Sequence, residues 1–214
     1  MKWVVDTLTS AIGKKLMMAA TGLAFCGFLV IHLIGNLTLY GGKDLFLSYA
    51  EHLHSLGPLV TLFELGLLVL AIVHVLTGLT LFYQNRRARP VGYCRKKWAG
   101  GRTIGSATMP YTGILLLAFV TYHLLTFRFV DLTNRTVYEV VSSAFAHPWY
   151  VAIYVLAMIV AAIHVSHGFW SAFQTIGASH PKYMPLIRSL GLLFSLILGI
   201  GFGAIPIYVY AVVT

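Results

Sequence analysis

Residues 149–176 read WYVAIYVLAMIVAAIHVSHGFWSAFQTI, a run without a single Asp, Glu, Lys or Arg. A helix needs about 20 mainly apolar residues to cross the hydrocarbon core of a bilayer, and this run exceeds that length. Four more stretches match it: Leu16–Tyr40, Leu59–Tyr83, Met109–Phe129 and Leu186–Val213. Composition points the same way. Of 214 residues, 58% are hydrophobic and 10% charged, with a mean hydropathy of +0.83, whereas a soluble domain carries about 25% charged residues. Lipid must therefore be the main solvent. The sequence predicts an all-α fold, a bundle of five transmembrane helices forming one domain over residues 1–214, with no internal repeat. The first apolar run is too long for a cleaved signal peptide, and no Ala-x-Ala-like site follows it.

Basic residues orient the bundle. Lys2, Lys14, Lys15, Arg86, Arg87, Arg89, Arg95, Lys96, Lys97, Arg102, Lys182 and Arg188 fall on one side of the five spans, and only Lys43, Arg128 and Arg135 on the other. By the positive-inside rule the N-terminus is cytoplasmic and the C-terminus periplasmic, which fits a multi-pass protein of a bacterial inner membrane. The net charge of +9 lies in loops between apolar runs and not on one face of a folded domain, so nucleic acid is not an expected partner. The basic loop Arg86–Arg102 meets the orientation rule and also offers a docking surface for a soluble cytoplasmic subunit. Cys26 and Cys94 are far apart, and no Cys-x-x-Cys-His occurs. Covalent c-type haem and a cysteine metal cluster are both excluded.

Ionisable side chains inside spans are rare and usually functional. The first four spans each carry a deep histidine: His32, His74, His123 and His164, with His167 one turn beyond the last. At about 1.5 Å rise per residue, His32 lies ~26 Å beyond Lys15 and His123 ~24 Å beyond Ala107 on outward-running helices. His74 lies ~18 Å before Arg86 and His164 ~15 Å before Gln174 on returning helices. Two pairs result, one in each half of the membrane, in layers ~10 Å apart. Such pairs suit two stacked b-type haems with bis-histidine ligation, which leaves the iron no open position and favours electron transfer. Gly78 and Gly168 each share a face with a histidine four residues earlier, so they are candidate haem contacts or simply small residues at helix interfaces. Zinc would need a compact tetrahedral set.

With these residues in place, the chain resembles the dihaem cytochrome b membrane anchor of succinate:quinone oxidoreductases and menaquinol:fumarate reductases, in its single-chain five-helix form. The resemblance rests on one histidine in each of the first four spans, a ligand-free fifth span, the stretch His164-Val-Ser-His-Gly-Phe-Trp-Ser-Ala-Phe-Gln-Thr and the run His180-Pro-Lys-Tyr. It implies that His74 and His164 ligate a proximal haem near a cytoplasmic iron–sulfur subunit, and that His32 and His123 ligate a distal one. Between His164 and His167, the family spacing to Gly-Phe-Trp favours His164. A haem propionate or a neighbouring helix is then left for His167. Implied partners are an iron–sulfur protein and a flavoprotein carrying FAD and the dicarboxylate site. The resemblance is compatible with a dimer of heterotrimers.

Menaquinol oxidation needs a proton acceptor beside a haem. Glu64 lies ~15 Å outward of His74, and a carboxylate in an apolar span costs several kcal/mol unless neutralised or paired. It is therefore a candidate acceptor. Glu51 and His52, in the outer connection Gly41–Pro58, are further candidates or members of a solvated loop. Some dihaem fumarate reductases carry a glutamate two residues before the fourth-span ligand, proposed to move protons with the electrons. Here that position is Ala162, so no compensating path of that type is expected. Two other functions compete. A cytochrome b of nitrate reductase or a hydrogenase tends to place two ligands on one span, unlike the distribution here. A small transporter could use histidines as a proton relay, but would not need them paired by depth.

Overall fold

The structure, a computed structural model, describes residues 2–88, 91 and 103–213. Arg89, Cys94, Arg95, Lys96, Lys97 and Arg102 of the basic loop lie outside them. The described chain is helical, and five helices are long and apolar enough to cross a membrane: Ala11–Gly41, Pro58–Arg87, Ile104–Arg128, Pro148–Thr175 and Met184–Val213. They cover the five expected spans except for Phe129 and Ile176, which fall one residue outside, and they begin before the apolar runs because their ends are set by caps and turns. A short helix α1 (Lys2–Thr9) precedes α2 (Ala11–Leu37). The Ser10 side chain accepts the Gly13 N–H and starts α2, so Lys14 and Lys15 sit in its first turns. Any Cβ at Gly13 would collide with the Thr7 carbonyl oxygen, which is why α1 can fold so tightly against α2.

The connection expected as a loop between the first two spans is mostly α3 (Lys43–Ser55). Gly57, at φ +55°, makes the turn that a side chain would resist. Pro58 then opens α4 (Pro58–Arg87) at a position where its missing N–H costs nothing. A reciprocal capping box between Thr103 and Ser106 starts α5 (Ile104–His123). Directly after His123 the helix widens into a π turn, Leu124–Arg128. Such turns are rare and gather at functional sites. Another capping box, Thr136 with Glu139, starts α6 (Val137–Phe145), followed by α7 (Pro148–Thr175) and α8 (Met184–Tyr208).

Helices α2, α4, α5 and α7 form a four-helix ring. Helix α2 packs on α4 and α7, α5 packs on α7, and the α4–α5 edge is touched only sparsely. Helices α2 and α5 therefore stand on one diagonal, α4 and α7 on the other. Helix α8 lies outside the ring along α7 and α2. Its glycines allow close approach: Gly199 faces Ala162, and Gly201 faces Leu33, as expected where lipid gives helices no hydrophobic reason to associate. We call the end bearing Lys14, Arg86 and Arg87 the lower end. Helices α3 and α6 cover the upper end, where Phe46, Val141 and Phe145 close a buried cluster over Leu33, Tyr154 and Ile205.

Candidate functional site

The two diagonals bring the histidines together. His32 of α2 and His123 of α5 face each other in the upper half, with ring centroids 5.9 Å apart. His74 of α4 and His164 of α7 face each other in the lower half at 6.5 Å. Among the described residues, no group of three or more His, Cys, Asp or Glu is placed to share a metal ion, so each pair offers two ligands and no third.

Every ring has a neighbour at Nδ1. Thr21 Oγ1 is 2.9 Å from His74 Nδ1, and Thr112 Oγ1 is 3.0 Å from His164 Nδ1. In the upper half, Tyr154 OH lies 3.2 Å from His123 Nδ1, while Asn36 Nδ2 lies 3.5 Å from His32 Nδ1. The latter is at the limit for a hydrogen bond; the Asn36 amide instead donates firmly to the His32 carbonyl at 2.8 Å. None of these four partners was anticipated from the sequence.

The lower-half contacts uncover a repeat that the sequence reading missed. Helix α2 carries Met18-x2-Thr21-Gly22-x5-Phe28-x3-His32, and α5 carries Met109-x2-Thr112-Gly113-x5-Phe119-x3-His123. Helix α4 carries His74-Val75-x2-Gly78, and α7 carries His164-Val165-x2-Gly168. The contacts repeat with the residues. Gly22 and Gly113 lie beside the Cε1 atoms of His74 and His164, and Gly78 and Gly168 face the methyl ends of Met18 and Met109. Phe28 stacks on His32 and Phe119 packs on His123. Two related hairpins, α2–α4 and α5–α7, thus make the ring. Threonine–histidine bonds lie within each hairpin, and histidine pairs lie between them.

A model of the succinate dehydrogenase/fumarate reductase transmembrane subunit family matches residues 85–200, more than half of the chain. The chain belongs to this family. No curated protein and no solved structure matches it. As a member of the succinate dehydrogenase/fumarate reductase transmembrane subunit family, it is a multi-pass membrane protein of an oxidoreductase complex. The matched segment holds His123 and His164 but not His32 or His74. The repeat relates those two to them position by position.

The repeat also separates His164 from His167. His164 corresponds to His74, and His167 to Thr77, so only the former meets a partner across the ring. His167 Nδ1 is 3.4 Å from Thr103 Oγ1 at the start of α5, and its ring meets Trp170 edge-on at 4.8 Å. Trp170 in turn stacks beneath the Arg188 guanidinium. A Cβ at Gly78 or Gly168 would come into ordinary contact with the methyl end of Met18 or Met109. The depth estimate needs correction: Thr21 marks the level of His74, and His32 stands three turns above it, about 16 Å, not ~10 Å. The four residues used as depth markers, Lys15, Arg86, Ala107 and Gln174, do not sit at one height at the lower end.

Glu64 is not a lone carboxylate. Arg128, swung across by the π turn, donates to it through Nε at 2.6 Å and Nη2 at 2.8 Å. The sequence reading had counted Arg128 only toward orientation. This pair ties the upper end of the sparse α4–α5 edge, and His54 of α3 lies close enough to interact electrostatically with Glu64. Glu51 and His52 are exposed on α3, away from any described bond with Glu64.

Proposed function

We propose that this chain is the dihaem cytochrome b anchor of its complex, a subunit of the bacterial inner membrane with its lower end in the cytoplasm. Electrons pass between menaquinone and an iron–sulfur subunit, whose partner flavoprotein holds FAD and the dicarboxylate site. The observation that carries this reading is the pair of two-histidine sites on the ring diagonals. Two metal–imidazole bonds of about 2 Å, plus a ring radius on each side, require centroids about 6 Å apart, and both pairs meet that figure. In the lower pair a threonine oxygen engages Nδ1 of each ring, so Nε2 remains to face a metal. Two protein ligands suffice when a porphyrin supplies the others. The residues therefore fit haem b: His74 and His164 for a proximal group, His32 and His123 for a distal one. A b haem ligated in this way takes up and releases single electrons without opening a coordination position.

The chain's own residues hold these groups and handle the quinone. Oxidising menaquinol releases two electrons inward and two protons at the site. Glu64 is the best placed acceptor, because it stands at the level of the upper pair. It takes the place that Tyr154 occupies in the other hairpin, so the symmetric lining is interrupted there. Arg128 orients the carboxylate through two donated hydrogen bonds. Glu51 and His52, exposed on α3, offer a route onward to the periplasmic surface. Ala162 packs against Gly199 of α8, with no carboxylate to return protons across the membrane. Menaquinol oxidation coupled to fumarate should therefore build a voltage across a vesicle membrane, and a strictly electroneutral reaction would refute this.

A reduced-minus-oxidised spectrum of the purified complex tests the central claim. Two b-type haems per chain are expected. Their absence would overturn the proposal.

A further inference from the structure

The two lower-half threonines do something the other span threonines do not. Thr80 and Thr121 each donate their hydroxyl proton to a carbonyl one turn back and show no contact with a histidine. Thr21 makes the same bond to the Met17 carbonyl at 2.7 Å, and Thr112 bonds to those of Thr108 and Met109 at 3.1 Å. These two are buried, at 5% and 6% exposure, among only four buried polar side chains described. Each then meets a histidine Nδ1 on the paired helix.

A hydroxyl has one proton. Since the helix carbonyl takes it, the threonine oxygen can only accept at its second contact. Nδ1 of His74 and of His164 must therefore carry the proton, which leaves the Nε2 lone pair free. The ring is also held against rotation. A histidine that donates its other N–H to a fixed acceptor becomes a better defined and more basic metal ligand.

We propose that Thr21 and Thr112 are positioning residues that fix the tautomer and ring plane of both lower-pair histidines and bias that iron toward its ferric state. The proposal rests on the two-haem reading above. The same device appears twice, once in each hairpin. It is absent from the upper pair, where the corresponding ring partners are a phenol and an amide nitrogen. Greater basicity of the imidazole stabilises the ferric more than the ferrous ion, so removing the acceptor should raise the midpoint potential.

The test is a redox titration of the purified complex, combined with the low-spin ferric electron paramagnetic resonance spectrum. The lower haem is assigned as the signal removed by His74→Ala. Thr21→Val and Thr112→Val should each raise the potential of the lower haem and shift its largest g value, leaving the upper haem unmoved. Thr21→Ser and Thr112→Ser keep the acceptor and should restore both readouts. If either valine variant loses the lower haem outright while the serine variant retains it, the result supports the same role. Unchanged potential and g value in both valine variants, with two haems bound, would overturn the proposal alone. Equal shifts of both haems would also overturn it, as would failure of serine to restore. Absence of haem from the unaltered complex would instead remove the reading beneath it.

Discussion

The lower half of the ring obeys its internal symmetry and the upper half breaks it. Below, methionine, threonine, glycine and histidine recur in both hairpins and make the same contacts twice. Above, the histidines and their phenylalanines still correspond, but their surroundings do not. Tyr154 beside His123 is matched in the first hairpin by Glu64, which turns away to Arg128. Asn36 near His32 is matched by Phe127. The end cover is also unequal, with α3 carrying exposed polar residues and α6 burying Val141 and Phe145. Symmetric surroundings hold two equivalent ligands in one fixed geometry. Asymmetric surroundings are what a site needs if a substrate must enter from one side and leave protons on it. Under the proposed function, the lower pair would act as a relay and the upper pair would exchange electrons with quinone.

Removing ligands tests this division most severely. His32→Ala or His123→Ala should cost about half of the haem absorbance and spare the lower signal, and His74→Ala or His164→Ala should do the reverse. Haem quantification with spectra of each variant complex checks this. A shared loss of both groups in all four variants would break the picture of two separate layers. His167→Ala should keep both haems, because that ring faces Thr103 and Trp170.

Next in size is the break itself. Glu64→Gln should reduce menaquinol-coupled turnover by at least tenfold, while succinate oxidation with a soluble dye as acceptor stays near normal. Glutamine keeps a side-chain oxygen that can accept from the Arg128 guanidinium, and retention of both haem signals in the variant checks that the fold is intact. If Glu64→Gln leaves quinol turnover intact, the asymmetry serves packing only and the acceptor lies elsewhere.

Most of this architecture was legible beforehand, for a physical reason. Bilayer thickness imposes a length on apolar runs, and an intramembrane histidine stands out against them, so the five spans and the two pairs follow from counting. Thr21 and Thr112 were not found that way, because a threonine in a span is ordinary. Only the geometry distinguishes the two that meet a histidine from those facing outward. The repeat escaped for a similar reason: its matching residues are spread over helices, and apolar positions between them are free to vary. The pairing of Arg128 with Glu64 was not foreseen, because a helical count places Arg128 at the span end without showing which neighbour it meets there. The helices α3 and α6 were hidden in connections whose polar residues read equally well as loop.

A smaller effect should separate the upper histidines from the lower. Tyr154→Phe deletes one oxygen, 3.2 Å from His123 Nδ1, and leaves the buried ring in place. The upper haem's potential should rise by less than the lower one does in Thr112→Val, because the phenol contact is longer and its proton is not committed to a described carbonyl. A redox titration resolving the two haems checks the order. A larger shift from Tyr154→Phe would mean that the phenol, and not the threonine, is the dominant ligand partner in the ring.

The smallest effect concerns the upper cover. The Thr136 backbone N–H donates to Glu139 at 2.9 Å, and this bond, then the Thr136 hydroxyl and Lys43 of α3, hold the Glu139 carboxyl below its ordinary value. A group with a depressed folded-state value adds stability above the unfolded value, and loses it as pH falls through the folded one. For a glutamate that loss begins below about pH 4.3. Hydrogen exchange in the first turn of α6 should therefore quicken as pH drops below this point, after correction for the intrinsic rate. Glu139→Gln should show the faster exchange already at neutral pH and little further change on acidification. The lower half has no such carboxylate cap among its described helix starts, so α2 and α5 should not follow. Parallel loosening of both halves would mean that the complex opens as a whole, and that the cover at the upper end is not an independent unit.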